Sequence, residues 1–162
     1  FHFCICAIEA IFYLENVFSN PYFLESFMNH QFSVAVNGQG LYDITPQVKS
    51  CIEDAGVAEG LATVFIRHTS ASILIQENAD PAVLADLATW LDRLVPENDP
   101  MYTHTEEGPD DMPAHIKGAI TAVNLSVPII EGQLALGVWQ GIFLWEHRHN
   151  VKERKLIVNV MG

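Results

Sequence analysis

From residue 32 onward, hydrophobic and polar positions fall into short runs with distinct periods. Phe32-Ser33-Val34-Ala35-Val36 alternates with period two and meets Asn37-Gly38, which predicts a strand entering a turn. The period then lengthens. Val48, Cys51, Ile52 and Ala55 share one helical face, Thr45 is placed to cap the helix, Pro46 suits its first position and Gly56 its stop. Residues 61–67 and 72–76 read as strands flanking His68-Thr69-Ser70-Ala71. Asp80-Pro81 opens a second helix with Leu84, Leu87, Leu91 and Leu94 as its inward stripe, and Pro96 ends it. After a polar loop over 97–111, a third helix is expected from near Pro113 through Ile116, Ala119 and Ile120 to about Val123. Strands follow at 125–130, at 133–145 with a possible break at Gly141, and at 155–160. Short turns such as Glu131-Gly132 favour antiparallel pairing, so the class is α+β, an antiparallel sheet or sandwich covered by a few helices.

The first 27 residues do not share this pattern. They are rich in Phe, Ile and Tyr and contain no Lys or Arg; Glu9 interrupts the apolar run and Asn16 ends it. Neither a signal peptide, which needs a positive start, nor a span of about 20 apolar residues fits. Residues 1–27 are therefore expected to lie outside the fold, as an upstream extension or a misplaced start before Met28, and residues 28–162 to form the domain. The alternative is an amphipathic arm that packs on a partner.

Charge narrows the function. The 162 residues carry 8 Lys and Arg against 20 Asp and Glu, a formal charge of −12. So few cations cannot build the basic face that a nucleic acid or an anionic membrane surface requires. Small substrates, cations and other protein chains remain. Cys4, Cys6 and Cys51 form no C-x-x-C pair and no disulfide framework, which suits a reducing, cytoplasmic setting.

Candidate chemistry lies in three stretches: Arg67 to Ser72 with Glu77 and Asn78 after it, Tyr102 to His115, and Trp139-Gln140 with Glu146-His147-Arg148. His68 follows an apolar strand, and His104 and His115 bracket an acidic loop containing Glu106, Glu107, Asp110 and Asp111. Three histidines with acids can close on one cation, but the spacing matches no short zinc motif. A simple helix cap explains Asp80, and also one of Asp110 and Asp111. Glu77, at a strand end, is a candidate base or ligand. Thr69, Ser70 and Ser72 are not a nucleophile elbow and suit hydrogen bonding of a turn or an anion. Trp139 and Trp145 read as core, with Gln140 the polar exception beside them. Arg67, Lys117, Arg148 and Arg154 are the cations available for a phosphate, which would also need a metal ion.

Together these stretches resemble one family. His68-Thr69-Ser70-Ala71-Ser72 with Glu77-Asn78 and Asp80-Pro81 looks like its first segment. Tyr102, His104, Glu107-Gly108, Asp110 to Pro113 and His115 to Lys117 resemble its second. Ser126, Pro128, Gly132, Leu134, Gly137, Trp139 to Ile142 and Glu146-His147-Arg148 resemble its third. This is the YjbQ group, the secondary thiamine-phosphate synthase family, and the likeness runs from about Phe32 to Gly162. Val138 departs from the threonine usual before Trp-Gln, and residues 1–27 have no counterpart.

The resemblance implies an α+β homotrimer with a metal-compatible site at His68, His104 and His115, taking a divalent ion such as zinc or magnesium. It implies a weak thiamine-phosphate synthesis, in which a hydroxymethylpyrimidine diphosphate joins a thiazole phosphate and pyrophosphate leaves. In that chemistry Glu77 and Asp111 are candidates to stabilise a developing pyrimidine cation and Gln140 to contact the ring. Arg67, Thr69, Ser70, Lys117 and Arg148 are candidates to hold phosphate. Two phosphorylated substrates would be repelled by a −12 chain without bound metal, so the synthesis can be a side reaction. Two other readings stay open: a metal-dependent phosphate-ester hydrolase, and a non-catalytic trimer that binds a metal or metabolite.

Overall fold

The computed structural model describes residues 27–162. The expected extension therefore lies outside the described residues except for Phe27, which opens the first strand. In chain order the elements are β1 (Phe27–Ala35), β2 (Gly40–Asp43), α1 (Thr45–Ala55), β3 (Gly60–Ile66), β4 (Ala71–Glu77), α2 (Pro81–Leu94), α3 (Asp111–Ile120), β5 (Asn124–Ile130), β6 (Gln133–Leu134), β7 (Gln140–Glu146) and β8 (Glu153–Met161). The strands form a five-stranded sheet in the order β1-β8-β3-β5-β6 and a three-stranded sheet in the order β2-β7-β4. Every pairing is antiparallel, as expected for an α+β chain with tight turns.

The core lies between the two sheets. Val64, Ile66, Val127, Leu156 and Val158 come from the large sheet, and Ile73, Ile142 and Leu144 from the small one. Helix α1 closes one end with Val48, Cys51 and Ile52. A second apolar layer, Leu91, Val95 and Trp145 with Leu41, Leu74, Leu87 and Ile116, seats α2 and α3 on the outer face of the small sheet. Strand β7 is thus covered on both faces, which is why its run Ile142-Phe143-Leu144-Trp145 is apolar without alternation.

Local chemistry departs from the sequence expectations at several points. Thr45 does not cap α1; its hydroxyl accepts the Ile142 N–H at 2.8 Å and ties the helix start to β7. Gly56 does end α1, in the left-handed conformation at φ 64°, and Asp80 caps α2 by accepting from the Ala82 N–H at 2.8 Å. Leu94 is exposed, and Val95 takes the inward place. The third helix starts at Asp111 rather than near Pro113 and ends at Ile120. The expected 133–145 strand breaks over 135–139, not at Gly141, so Trp139 precedes β7 and is 63% exposed instead of core.

The link from β3 to β4 sets up the site. These strands belong to different sheets, so residues 67–70 cross from the large sheet to the small one. Helix α3 lies directly over this crossing. A Cβ on Gly118 would stand 2.8 Å from the Thr69 carbonyl oxygen, so only glycine allows that approach.

Candidate metal and anion site

Asp110 and Asp111 begin α3 but do not cap it with their side chains. The carboxylates turn instead to Arg148, just beyond β7. Its Nε donates to Asp110 Oδ2 at 3.0 Å, its Nη1 pairs with Asp111 Oδ1, and its Nη2 donates to the Glu107 carbonyl at 2.9 Å. The His149 N–H donates to Asp110 Oδ2 at 2.8 Å. Burial opposes ionisation of Asp110, but the His149 N–H and Arg148 outweigh it and hold the carboxyl below its ordinary range. Arg148, expected to hold phosphate, is thus committed to orienting two acids.

That clamp aims the other Asp111 oxygen. Oδ2 lies 2.7 Å from His104 Nε2 and 3.6 Å from His115 Nε2, one helical turn along α3. The donor atoms of His104, Asp111 and His115 lie within 4.8 Å of one another, and the two imidazole centroids are 5.6 Å apart. Asp111 is 1% exposed, and Oδ2 has no hydrogen-bond partner among the described residues. Two of the three expected metal-site histidines therefore meet, and the third donor of the cluster is Asp111.

His68 lies across a cavity of about 540 Å³ that it lines with His115, Phe65, Ile66, Arg67 and Val123. Its Nδ1 receives the Ser70 N–H at 3.1 Å and lies 2.9 Å from the Ser70 hydroxyl. Ser70 Oγ in turn accepts from Arg154 Nη2 at 3.2 Å. Arg154 is fixed by Glu146, through Nη2 to Oε1 at 2.7 Å and a second pair from Nε to Oε2. Burial, and then Arg154, push the His68 ring below its ordinary pKa despite Glu146, so it is neutral at pH 7. Arg67 and His68 also line an adjoining cavity with Glu153, Arg154 and Lys155.

The remaining expected site residues are dispersed. Thr69 is exposed on the same crossing, whereas Lys117 is 3% exposed and donates to Asp92 of α2 at 2.6 Å, away from that cavity. Glu77 pairs with Gln140 in the β4–β7 ladder, at the end opposite Ala71 and Glu146. Six residues of strand, roughly 20 Å, separate them from the His68 end within one chain. Gln140 Oε1 accepts the Gly137 N–H at 2.7 Å and shapes the turn before β7.

Glu146 and His147 were named from the sequence without a role, and Arg154 only as a cation for a phosphate; the structure makes all three a buried polar layer behind the site. Burial pushes the His147 ring down to about 3, with Lys117 and Arg154 adding to the effect, and Ser72 Oγ lies 2.8 Å from its Nε2. The available signal was three ionisable residues, Glu146-His147-Arg148, directly continuing an apolar run.

This arrangement can be compared with known proteins. The family model for UPF0047 YjbQ-like proteins matches residues 30–162. The chain belongs to the UPF0047 YjbQ-like family. A UPF0047 protein of Synechocystis is 49% identical over 139 residues, covering 85% of this chain and 95% of that protein. The UPF0047 protein YjbQ of Salmonella typhimurium is 41% identical, over 76% of this chain and 90% of its own length. Among solved structures, a YjbQ/UPF0047 protein of Clostridium acetobutylicum superposes with a TM-score of 0.72 at 36% identity, covering 82% of this chain and 98% of that one. A YbjQ-like protein of Sulfolobus solfataricus gives a TM-score of 0.78 at 25% identity, over 85% and 99%. The UPF0047 match begins inside β1, so it takes in both sheets and all three described helices. No helix among the described residues is long and apolar enough to cross a membrane.

Proposed function

We propose that this UPF0047 protein is a metal-dependent enzyme acting on phosphorylated small molecules, and that its reaction is the thiamine-phosphate coupling implied by the family resemblance, run as a weak or side activity. The observation that carries the reading is Asp111 Oδ2, a buried carboxylate oxygen without a hydrogen bond, facing two imidazole nitrogens. A buried carboxylate oxygen left without a hydrogen bond is costly, and a cation held among these three donors removes that cost. Two imidazoles and one carboxylate suit zinc or another first-row transition ion, whereas magnesium prefers oxygen ligands and retained waters. His104, Asp111 and His115 would hold the ion. When bound, such an ion neutralises charge on a departing diphosphate.

The chain's own residues supply the rest. Arg148 pairs with Asp111 and aims it, Arg67 offers charge in the cavity lining, and Phe65, Ile66 and Val123 give an apolar wall for a ring. In the coupling, the carbon–oxygen bond to the diphosphate breaks and its electron pair leaves with the diphosphate oxygen. The lone pair of the thiazole nitrogen forms the new carbon–nitrogen bond, so no proton need be removed. A cavity of about 540 Å³ lies within the usual range for a small-molecule pocket. The homotrimer implied by the same resemblance is part of this reading, and light scattering checks it.

The test is metal content of the full chain purified without chelator, with the two substrates then supplied. Roughly one ion per chain is expected, lost in His115→Ala, with thiamine phosphate formed only by the loaded protein. No thiamine phosphate with zinc, cobalt, manganese or magnesium would overturn the coupling. Three protein donors leave coordination positions open, which favours phosphate-ester hydrolysis as the second reading. Turnover of a generic phosphate ester that disappears in His115→Ala would assign it. Metal binding without any turnover would assign a binding protein.

A further inference from the structure

The hydrogen bonds around His68 fix which of its nitrogens carries the proton. The Ser70 backbone N–H can only donate, and it points at Nδ1 from 3.1 Å. The Ser70 hydroxyl, whose oxygen already accepts from Arg154 Nη2, can direct its own hydrogen to the same Nδ1. Arg154 cannot swing away, because Glu146, 1% exposed, holds it through both carboxylate oxygens. Nδ1 is therefore an acceptor and the proton of the neutral ring sits on Nε2.

A metal-bound histidine has the opposite arrangement: one nitrogen ligates and the other donates its N–H outward. Were His68 Nε2 a ligand, a protonated Nδ1 would face the Ser70 N–H, donor against donor. General-acid chemistry fails on the same ground. A neutral ring gives up its Nε2 proton only if Nδ1 first gains one, and Nδ1 already receives the Ser70 N–H. What remains for Nε2–H is hydrogen-bond donation from an uncharged ring. Its surroundings suit an anion. Arg67 and Lys155 flank the cavity shared with His68 and form no ion pair to a carboxylate among the described residues, although Glu153 lines the same wall. In contrast Lys117, Arg148 and Arg154 are all paired with acids.

We propose that His68 is a hydrogen-bond donor through Nε2 to an anionic oxygen of the ligand, assisted by Arg67 and Lys155, and is not part of the metal centre. Ser70, Arg154 and Glu146 are positioning residues that hold its tautomer. This deepens the phosphate reading above, since it places a phosphate oxygen at the His68 end of the cavity and the cation at the His115 end.

Long-range proton–nitrogen spectra of the full 15N-labelled chain test it, with His68 assigned by its absence in His68→Gln. In the metal-free protein His68 is expected to show an unprotonated Nδ1 and a protonated Nε2. One equivalent of zinc is expected to move His104 and His115 and to leave His68 protonated at Nε2. Inorganic phosphate, added to the metal-free chain, is expected to shift the His68 Nε2–H, with roughly tenfold weaker binding in Arg67→Gln/Lys155→Gln. A protonated Nδ1, or loss of the Nε2 proton on zinc addition, would overturn the assignment. Phosphate that leaves His68 unmoved would overturn its anion-binding role. None of these readouts requires turnover, and the tautomer is read without metal, so failure of the coupling reaction is a separate result.

Discussion

At the scale of single residues, the site depends on one arginine held between two acids. Asp110 and Asp111 are 7% and 1% exposed, and Arg148 reaches both together with the Glu107 carbonyl. Removing the arginine leaves two buried carboxylates without their main counter-charge, and such a loss costs about 3 kcal/mol or more. Arg148→Ala is therefore expected to lower the urea midpoint by that equivalent and to raise the pH at which the protein unfolds in acid. Arg148→Lys is expected to recover only part, since a single ammonium cannot reproduce the three-way fork. Equal stability of wild type and Arg148→Ala at neutral pH would show that Arg148 does not hold the acids. The sequence named Arg148 but assigned it to phosphate. Its true partners lie 37 and 38 positions away, and no local pattern distinguishes an arginine that binds acids from one that waits for a ligand. The pairing of Lys117 was hidden for the same reason: its partner Asp92 sits on a different helix.

Among the elements, the decisive contact is α3 against the β3–β4 crossing. Gly118 brings the helix onto the Thr69 carbonyl and so sets the distance between His115 and His68 across the cavity. In Gly118→Ala the new Cβ would stand 2.8 Å from that oxygen and push the helix away. The overpacking outweighs the gain in helix propensity, with a net cost of about 1–2 kcal/mol. A fall of several degrees in Tm and weaker zinc binding are expected together. Gly60→Ala, whose Cβ would meet the Met161 carbonyl at the other end of the large sheet, is the control. It is expected to lower Tm and leave zinc binding unchanged, and equal zinc affinity in both variants would detach α3 placement from the site. The helices, most strands and the His68 crossing were legible because each has a strong local period or cap, as at Gly56 and Asp80. The short strand β2 was not, since four residues after Gln39 carry no period, and it is recruited by pairing with β7. Trp139 misled because large aromatic residues next to an apolar run usually continue it, whereas here Gln140 Oε1 turns the chain at Gly137 before the strand begins.

Across the whole molecule, the same packing that covers β7 on both faces buries a histidine. His147, at the end of β7, is 2% exposed under α2 and α3. The charged groups facing it are Lys117 and Arg154, with their acids Asp92 and Glu146. Burial and these two cations bring its pKa down from 6.5 to about 3. The unfolded chain therefore takes up a proton at His147 below pH 6.5 that the native chain refuses until about pH 3. Stability is complete above pH 6.5 and is lost as the pH falls through that window, at up to about 1.4 kcal/mol per pH unit. Between pH 6.5 and 5 this amounts to about 2 kcal/mol. His68 adds a loss of the same sign over the upper part of the window, because its ring is also held below its ordinary value. Asp110 contributes only lower, as its depressed carboxyl is protonated. Urea unfolding at pH 5 and 7 separates these contributions. His147→Gln, which keeps a side chain able to bond Ser72 but does not titrate, is expected to flatten most of the difference, and His68→Gln only a minor part. If His147→Gln leaves the full pH dependence in place, the buried ring is not its source.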